Sequence, residues 1–209
     1  MAAAVWTAVA PFVVLGVVYA IYVAATHSWN VYRIAEGADG RTSTSKFQFL
    51  LWTIVAIGSY TAVFVANWRT GHADVSLGVP DNLMIALGLS ITTATGARAL
   101  YLVGSAPKSA KGPSGTGGLL TDDDGSPDLA KLQLIGWTVL ALAVFCIRVG
   151  EHVHATLSGG GAGTTLPDID TALLVLMGLG HAGYGAKKTL DRVGSKAPAP
   201  APAPKPSFP

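Results

Sequence analysis

Residues 39–56 read DGRTSTSKFQFLLWTIVA, and residues 124–141 read DGSPDLAKLQLIGWTVLA. Laid over each other at an offset of 85 without a gap, the stretches share Asp39/Asp124, Gly40/Gly125, Lys46/Lys131, Gln48/Gln133, Trp52/Trp137, Thr53/Thr138 and Ala56/Ala141. Seven identities in eighteen positions compare with about one expected by chance at ordinary residue frequencies. The apolar pairs Phe47/Leu132 and Phe49/Leu134 fill the gaps. A second match follows downstream, where Val79-Pro80-Asp81 answers Leu166-Pro167-Asp168. It continues at an offset of 90 through Gly88/Gly178, Leu89/Leu179, Arg98/Lys188 and Leu100/Leu190. The chain therefore reads as a duplicated two-helix hairpin, repeat 1 over residues 39–103 and repeat 2 over residues 124–190.

Each repeat contains two apolar runs, 47–67 and 83–103 in the first, 132–150 and 171–187 in the second. The run from 132 extends through Val149 and Val153 toward Leu157, because Arg148 can snorkel and no proline intervenes. A further run, Ala2 to about Ala25, is long enough at 1.5 Å per residue to cross a hydrocarbon core of roughly 30 Å. It starts without a Lys or Arg, so it reads as a retained span rather than as a secretory signal cleaved near Val23-Ala24-Ala25. Pro11 kinks it or disturbs its ladder. Only 12% of the 209 residues are charged, against roughly 25% in ordinary soluble domains. The fold class expected is thus all-α. It is a polytopic integral membrane protein of five transmembrane helices, with one N-terminal span (1–26), a connection (27–46) and two parallel-oriented hairpin repeats. Same-facing copies predict a pseudo-twofold along the membrane normal, unlike the inverted repeats of many transporters.

Lys and Arg set the orientation. Arg33, Arg41, Lys46, Arg98, Lys108, Lys111, Lys131, Lys187, Lys188, Arg192, Lys196 and Lys205 fall on one side of the five crossings, and only Arg69 and Arg148 on the other. The N-terminus is therefore expected outside and the C-terminus in the cytoplasm. High Ala, Gly and Val content suits a bacterial source, which makes the cytoplasmic membrane the expected location. The connection 104–128, rich in Gly, Ser, Pro and Asp, is expected to be mobile, and the Ala/Pro tail 195–209 to be disordered and extended. A net charge of +2, with basic residues scattered between apolar runs, excludes nucleic acid as an expected partner. The single cysteine, Cys146, excludes an intramolecular disulfide and a cysteine-built metal site within one chain.

Ser43 and Asp128, three residues before the paired lysines, suit helix N-caps, and Pro80-Asp81 and Pro167-Asp168 suit helix entrances. Trp52 and Trp137 lie at a depth where indoles anchor near headgroups. A glutamine in the first turn of a span needs a partner, so Gln48 and Gln133 are expected to hydrogen-bond to each other, with Lys46 and Lys131 facing headgroups or an anionic ligand. Gly88, Thr92 and Gly96, and likewise Gly178, Ala182 and Ala186, place small residues on one helix face for packing between the repeats or between subunits. His181 lies about 15 Å along its helix, a depth at which an ionisable group is a functional candidate. Its counterpart in repeat 1 is Ile91. Glu151, His152 and His154 are weak candidates for a divalent metal, with an Arg148–Glu151 pair on a solvated cap as the plainer reading. Asp122-Asp123-Asp124-Gly125 lacks the spacing of a calcium loop.

No nucleophile elbow, phosphate loop or zinc-protease helix occurs. The expected function is a non-enzymatic membrane subunit or scaffold with no cofactor, its partners being the lipid bilayer and either a second copy or another membrane protein. A small oligomeric channel or transporter with a polar path through Ser90, Thr92, Thr93 and His181 is the alternative, and a metal-dependent membrane sensor or enzyme comes last.

Overall fold

The computed structural model describes residues 2–36, 42–72, 77–103, 118–122, 125–159 and 165–195. Asp39-Gly40, Asp124, residues 104–117 of the long connection and the tail after Ser195 lie outside them. The described chain is all-helical: α1 (Ala2–Thr26), the short α2 (Tyr32–Ala35), α3 (Thr44–Arg69), α4 (Asp81–Val103), α5 (Leu129–Leu157) and α6 (Thr171–Ser195). Among the described residues three helices are long and apolar enough to cross a membrane, Val5–Thr26, α3 and α5, while the apolar part of α4, Asp81–Thr92, is shorter. Gly, His181 and Lys187 dilute the second half of α6.

The helix ends follow from local chemistry. Asp128 caps α5, its Oδ1 accepting from Ala130 N at 2.9 Å and Lys131 N at 3.3 Å. Ser43 holds the matching extended position before α3 but makes no side-chain cap; its hydroxyl lies 3.3 Å from that of Ser45. Helix α4 opens at Asp81, directly after Pro80, whereas α6 opens three residues beyond Asp168, where Asp170 Oδ1 accepts from Ala172 N. At the other end of α1, His27 takes a left-handed φ of 52° and its N–H returns to Val23 O, which terminates the helix.

Helices α3, α4, α6 and α5 form a four-membered ring in which α3 touches α4 and α5, and α6 touches α4 and α5. Trp52, Val63, Leu83, Ala86, Phe145 and Met177 fill its centre. Helix α1 lies outside the ring against α3. Gly58 marks the contact, where a Cβ would sit in ordinary van der Waals range of Leu15 Cδ1 at 3.9 Å and Pro11 Cβ at 4.0 Å. Polarity is inverted relative to a water-soluble bundle. Phe12, Phe64, Ile85, Ile91, Leu140, Ile147 and Leu179 are exposed, while Gln48, Ser59, Asn67, Ser90, Thr138 and His181 are buried. That distribution suits a membrane-embedded protein, in which lipid covers the apolar exterior and polar side chains must turn inward.

The ring is not twofold-symmetric, contrary to the expectation above. A twofold along its axis sets matching helices on diagonals, yet α3 touches α5 and α4 touches α6. The buried residues explain the arrangement. Gln48, Trp52, Ser59 and Val63 of α3 answer Leu134, Thr138, Phe145 and Val149 of α5, each pair 86 apart, although the sequences match at 85. Leu83, Ala86 and Ser90 answer Leu174, Met177 and His181, each pair 91 apart, although the sequences match at 90. The buried stripe has moved one residue in both helices, about 100° of turn. Hairpins set side by side in the same orientation need such a rotation, because neighbouring corners of a square look inward at right angles. Contacts across the proline end agree: Gly78 and Thr165, 87 apart like Pro80 and Pro167, form a parallel bridge, and Asn82 Nδ2 donates to Ile169 O at 2.9 Å.

Candidate functional site

Polar side chains come together where α3, α5 and α6 meet. Gln48, one turn into α3, is fully buried, and its Nε2 donates to Thr138 Oγ1 at 2.7 Å. Thr138 in turn donates to Leu134 O at 2.7 Å, so one hydroxyl serves both as donor and as acceptor. Trp52, one turn further along the same face of α3, packs on Phe145 with ring centroids 6.3 Å apart at 58°. Gly180 seats α6 on the same turn of α5, since a Cβ there would meet Leu134 Cα at 3.5 Å. The adjacent His181 is buried, and its Nδ1–H donates to Met177 O at 2.7 Å, which leaves Nε2 of the neutral ring as an acceptor. Gln48 Oε1, Trp52 Nε1 and His181 Nε2 have no hydrogen-bond partner among the described residues.

The lysine end is built from two similar clasps. Ser43 N donates to Ala35 O at 2.7 Å, and Asp128 N to Leu120 O at 2.8 Å. Lys46 Nζ donates to Glu36 O at 2.7 Å and Lys131 Nζ to Thr121 O at 2.6 Å. Every one of these partners is offset by 85 between the two clasps. Each lysine folds back over its own helix start and holds the chain that precedes it. A third cation has no counterpart: Lys187 bridges Asp122 Oδ2 at 2.7 Å and Asp128 Oδ2 at 2.9 Å, whereas Ala97, Gly37 and Ser43 stand at the positions that match in sequence. Asp128 therefore caps α5 with one oxygen and receives α6 with the other.

Several sequence expectations are corrected by this geometry. Gln48 and Gln133 do not meet, because the one-residue rotation turns Gln48 inward and leaves Gln133 exposed. Trp52 is a core residue rather than a headgroup anchor, and Trp137 is half-buried against the core. Lys46 and Lys131 each donate to a backbone carbonyl of the chain that precedes their helix, Glu36 O and Thr121 O. Residues 118–122 of the connection expected to be mobile hold fixed contacts, including Thr44 Oγ1 donating to Leu119 O at 3.0 Å. Helix α5 does run on to Leu157, but Glu151 and His154 are exposed while His152 is half-buried, and Arg148 and Glu151 form no ion pair. No group of three metal-ligating side chains gathers among the described residues.

The small-residue rows face outward rather than into the contact between hairpins. Thr92, Ala182 and Ala186 are exposed, and a Cβ added to Gly88 or Gly178 meets nothing within 4 Å. Gly96 lies further along α4. Of the polar path through α4 and α6, Ser90 and His181 face the interior and Thr92 the exterior, and Ser90 Oγ donates to Ala86 O at 3.0 Å. Sequence reasoning missed Thr138 as the partner of Gln48 and missed the Lys187 bridge. The signal for the bridge was present, in that Lys187, Asp122 and Asp128 all differ from the residues they match in sequence, Ala97, Gly37 and Ser43. Compared with protein-family models, curated proteins and solved structures, the chain matches none.

Proposed function

We propose that the chain is a non-enzymatic membrane subunit, a scaffold that assembles laterally with itself or with other membrane proteins. The observation that carries this reading is the outward-facing row on α6. Ala182 and Ala186 are exposed and Gly178 has open space around it, while Gly180 makes the contact inside the chain. Close approach over small residues is how helices associate in lipid, where the hydrophobic incentive is lost. The polar residues of the interior serve as ties between and within helices, a role that needs no bound substrate.

The scaffold has one N-terminal span and two same-facing hairpin repeats, five crossings in all, in the cytoplasmic membrane. Support for α4 and α6 as crossings comes from their outer faces, where Met84, Ile85, Ile91, Val175 and Leu179 are exposed while Ser90 and His181 turn inward. The matched clasps and the side-by-side contacts support the duplication, and the distribution of Lys and Arg supports an outside N-terminus. The test is native mass spectrometry of the full chain released from lipid nanodiscs. A homo-oligomer or a stoichiometric membrane partner is expected, weakened by Ala182→Leu. A lone chain at every protein-to-lipid ratio would sink the reading.

A further inference from the structure

We infer that copies of this chain join head to tail in the membrane, the α5/α6 edge of one copy seating the α3/α4 edge of the next, with Gln133 donating to Thr53 across the junction. The inference rests on the scaffold reading and names its partner, a second copy.

The contact between the two hairpins within the chain is the template. Side-by-side hairpins in one orientation do not close on themselves, so each leaves an edge of the kind that its neighbour covers. On α3 the inward set includes Gln48 and Trp52; of its matches on α5, Gln133 is exposed, and Trp137 packs on the core with part of its surface left open. On α5 the receiving set includes Thr138, Phe145 and Val149, and its matches on α3 are Thr53, Tyr60 and Phe64. Tyr60 is 42% and Phe64 45% exposed, and Thr53 is half-buried. The two edges of one molecule are thus the two halves of an interface that it already makes once.

Chemistry agrees with the placement. Gln133 is an exposed glutamine one turn into an apolar helix, where an unpaired amide is costly in lipid. Thr53 already holds the pose of a receiver. Its Oγ1 donates to Phe49 O at 2.8 Å, as Thr138 Oγ1 donates to Leu134 O, which leaves the lone pairs free to accept an amide. Trp137 would meet Tyr60 as Trp52 meets Phe145. On α4, Met84 and Ile91 are exposed at the matches of the buried Leu174 and His181. Nearer the proline end Arg148 replaces Val63, and the exposed rings of Phe64 and Trp68 on the next copy offer it an aromatic face. Such a junction is heterologous, so copies extend as a row or close as a ring rather than stopping at a twofold pair.

Cysteine cross-linking of the full chain in bilayers tests this, in a Cys146→Ser background because the native thiol is exposed. Under copper-phenanthroline oxidation, the Thr53→Cys/Gln133→Cys double variant should give a ladder of dimers, trimers and higher species. Each single variant alone should stay monomeric on the gel, and a mixture of the two singles should stop at dimers. Native mass spectrometry on the same preparations is the control for assembly. Oligomers without the 53–133 link, or single variants that link to themselves, would overturn the head-to-tail junction and leave the scaffold standing. A monomer by both measurements removes both readings. As a check free of introduced thiols, Gln133→Leu should shift the oligomer toward monomer, and an unchanged distribution counts against the junction.

Discussion

Thr53 and Thr138 match in sequence and make the same back-bond to the carbonyl four residues earlier, yet only Thr138 also receives Gln48. Thr138→Val should therefore cost about 1–2 kcal/mol, because it strands a buried amide. Thr53→Val should stay within about 0.5 kcal/mol in the isolated chain. Reversible unfolding of the monomer in mixed micelles measures both, and equal costs would contradict the buried tie. Lys187→Met removes the cation from Asp128, whose side chain is 3% exposed, and should cost about 1–2 kcal/mol, less in high salt. These residues show why identity alone misled. Gln48 and Gln133 match in sequence, but which face a residue presents depends on where its helix stands in the ring.

Within α6, two small residues two positions apart have opposite duties. A Cβ at Gly180 sits in ordinary contact with Leu134 at 3.5 Å, so Gly180→Leu drives further carbons into the α5 backbone and should destabilise by about 1–3 kcal/mol. Ala182→Leu, on the exposed side, should leave unfolding within about 0.5 kcal/mol while weakening lateral association. Thermal unfolding and native mass spectrometry on both variants separate the two effects. The clasps belong to the same scale: Lys46→Met releases Glu36 O and should raise amide exchange at Ser43 N, whose bond to Ala35 O the clasp shelters. Element starts were partly legible. Asp128 before an apolar run announces a cap, and it caps. Pro167-Asp168 announced one too early, because Asp170 is an equally good acceptor and lies nearer the first residue able to join the ladder.

For the molecule as a whole, the proposed five-span arrangement predicts the sidedness of its loops. In a Cys146→Ser background, an impermeant maleimide outside intact cells should label His72→Cys and Asp168→Cys at the proline end. Ser126→Cys and Thr189→Cys at the lysine end should stay unlabelled until the membrane is opened. Labelling of Ser126→Cys from outside would contradict the crossing of α4. The all-helical, apolar-surfaced character of the chain was open to reading from residues alone. Apolar runs of helical length, few charges and two matching segments determine an all-helical, apolar-surfaced chain, because those properties are local or are visible at fixed spacing. The tertiary structure alone decided that α3 lies beside α5, that the buried stripe moves one residue between matching helices, and that Gln48 is tied while Gln133 is left at an edge. Matching helices that stand side by side in one orientation must bury different sides, and no sequence match records which corner each one takes.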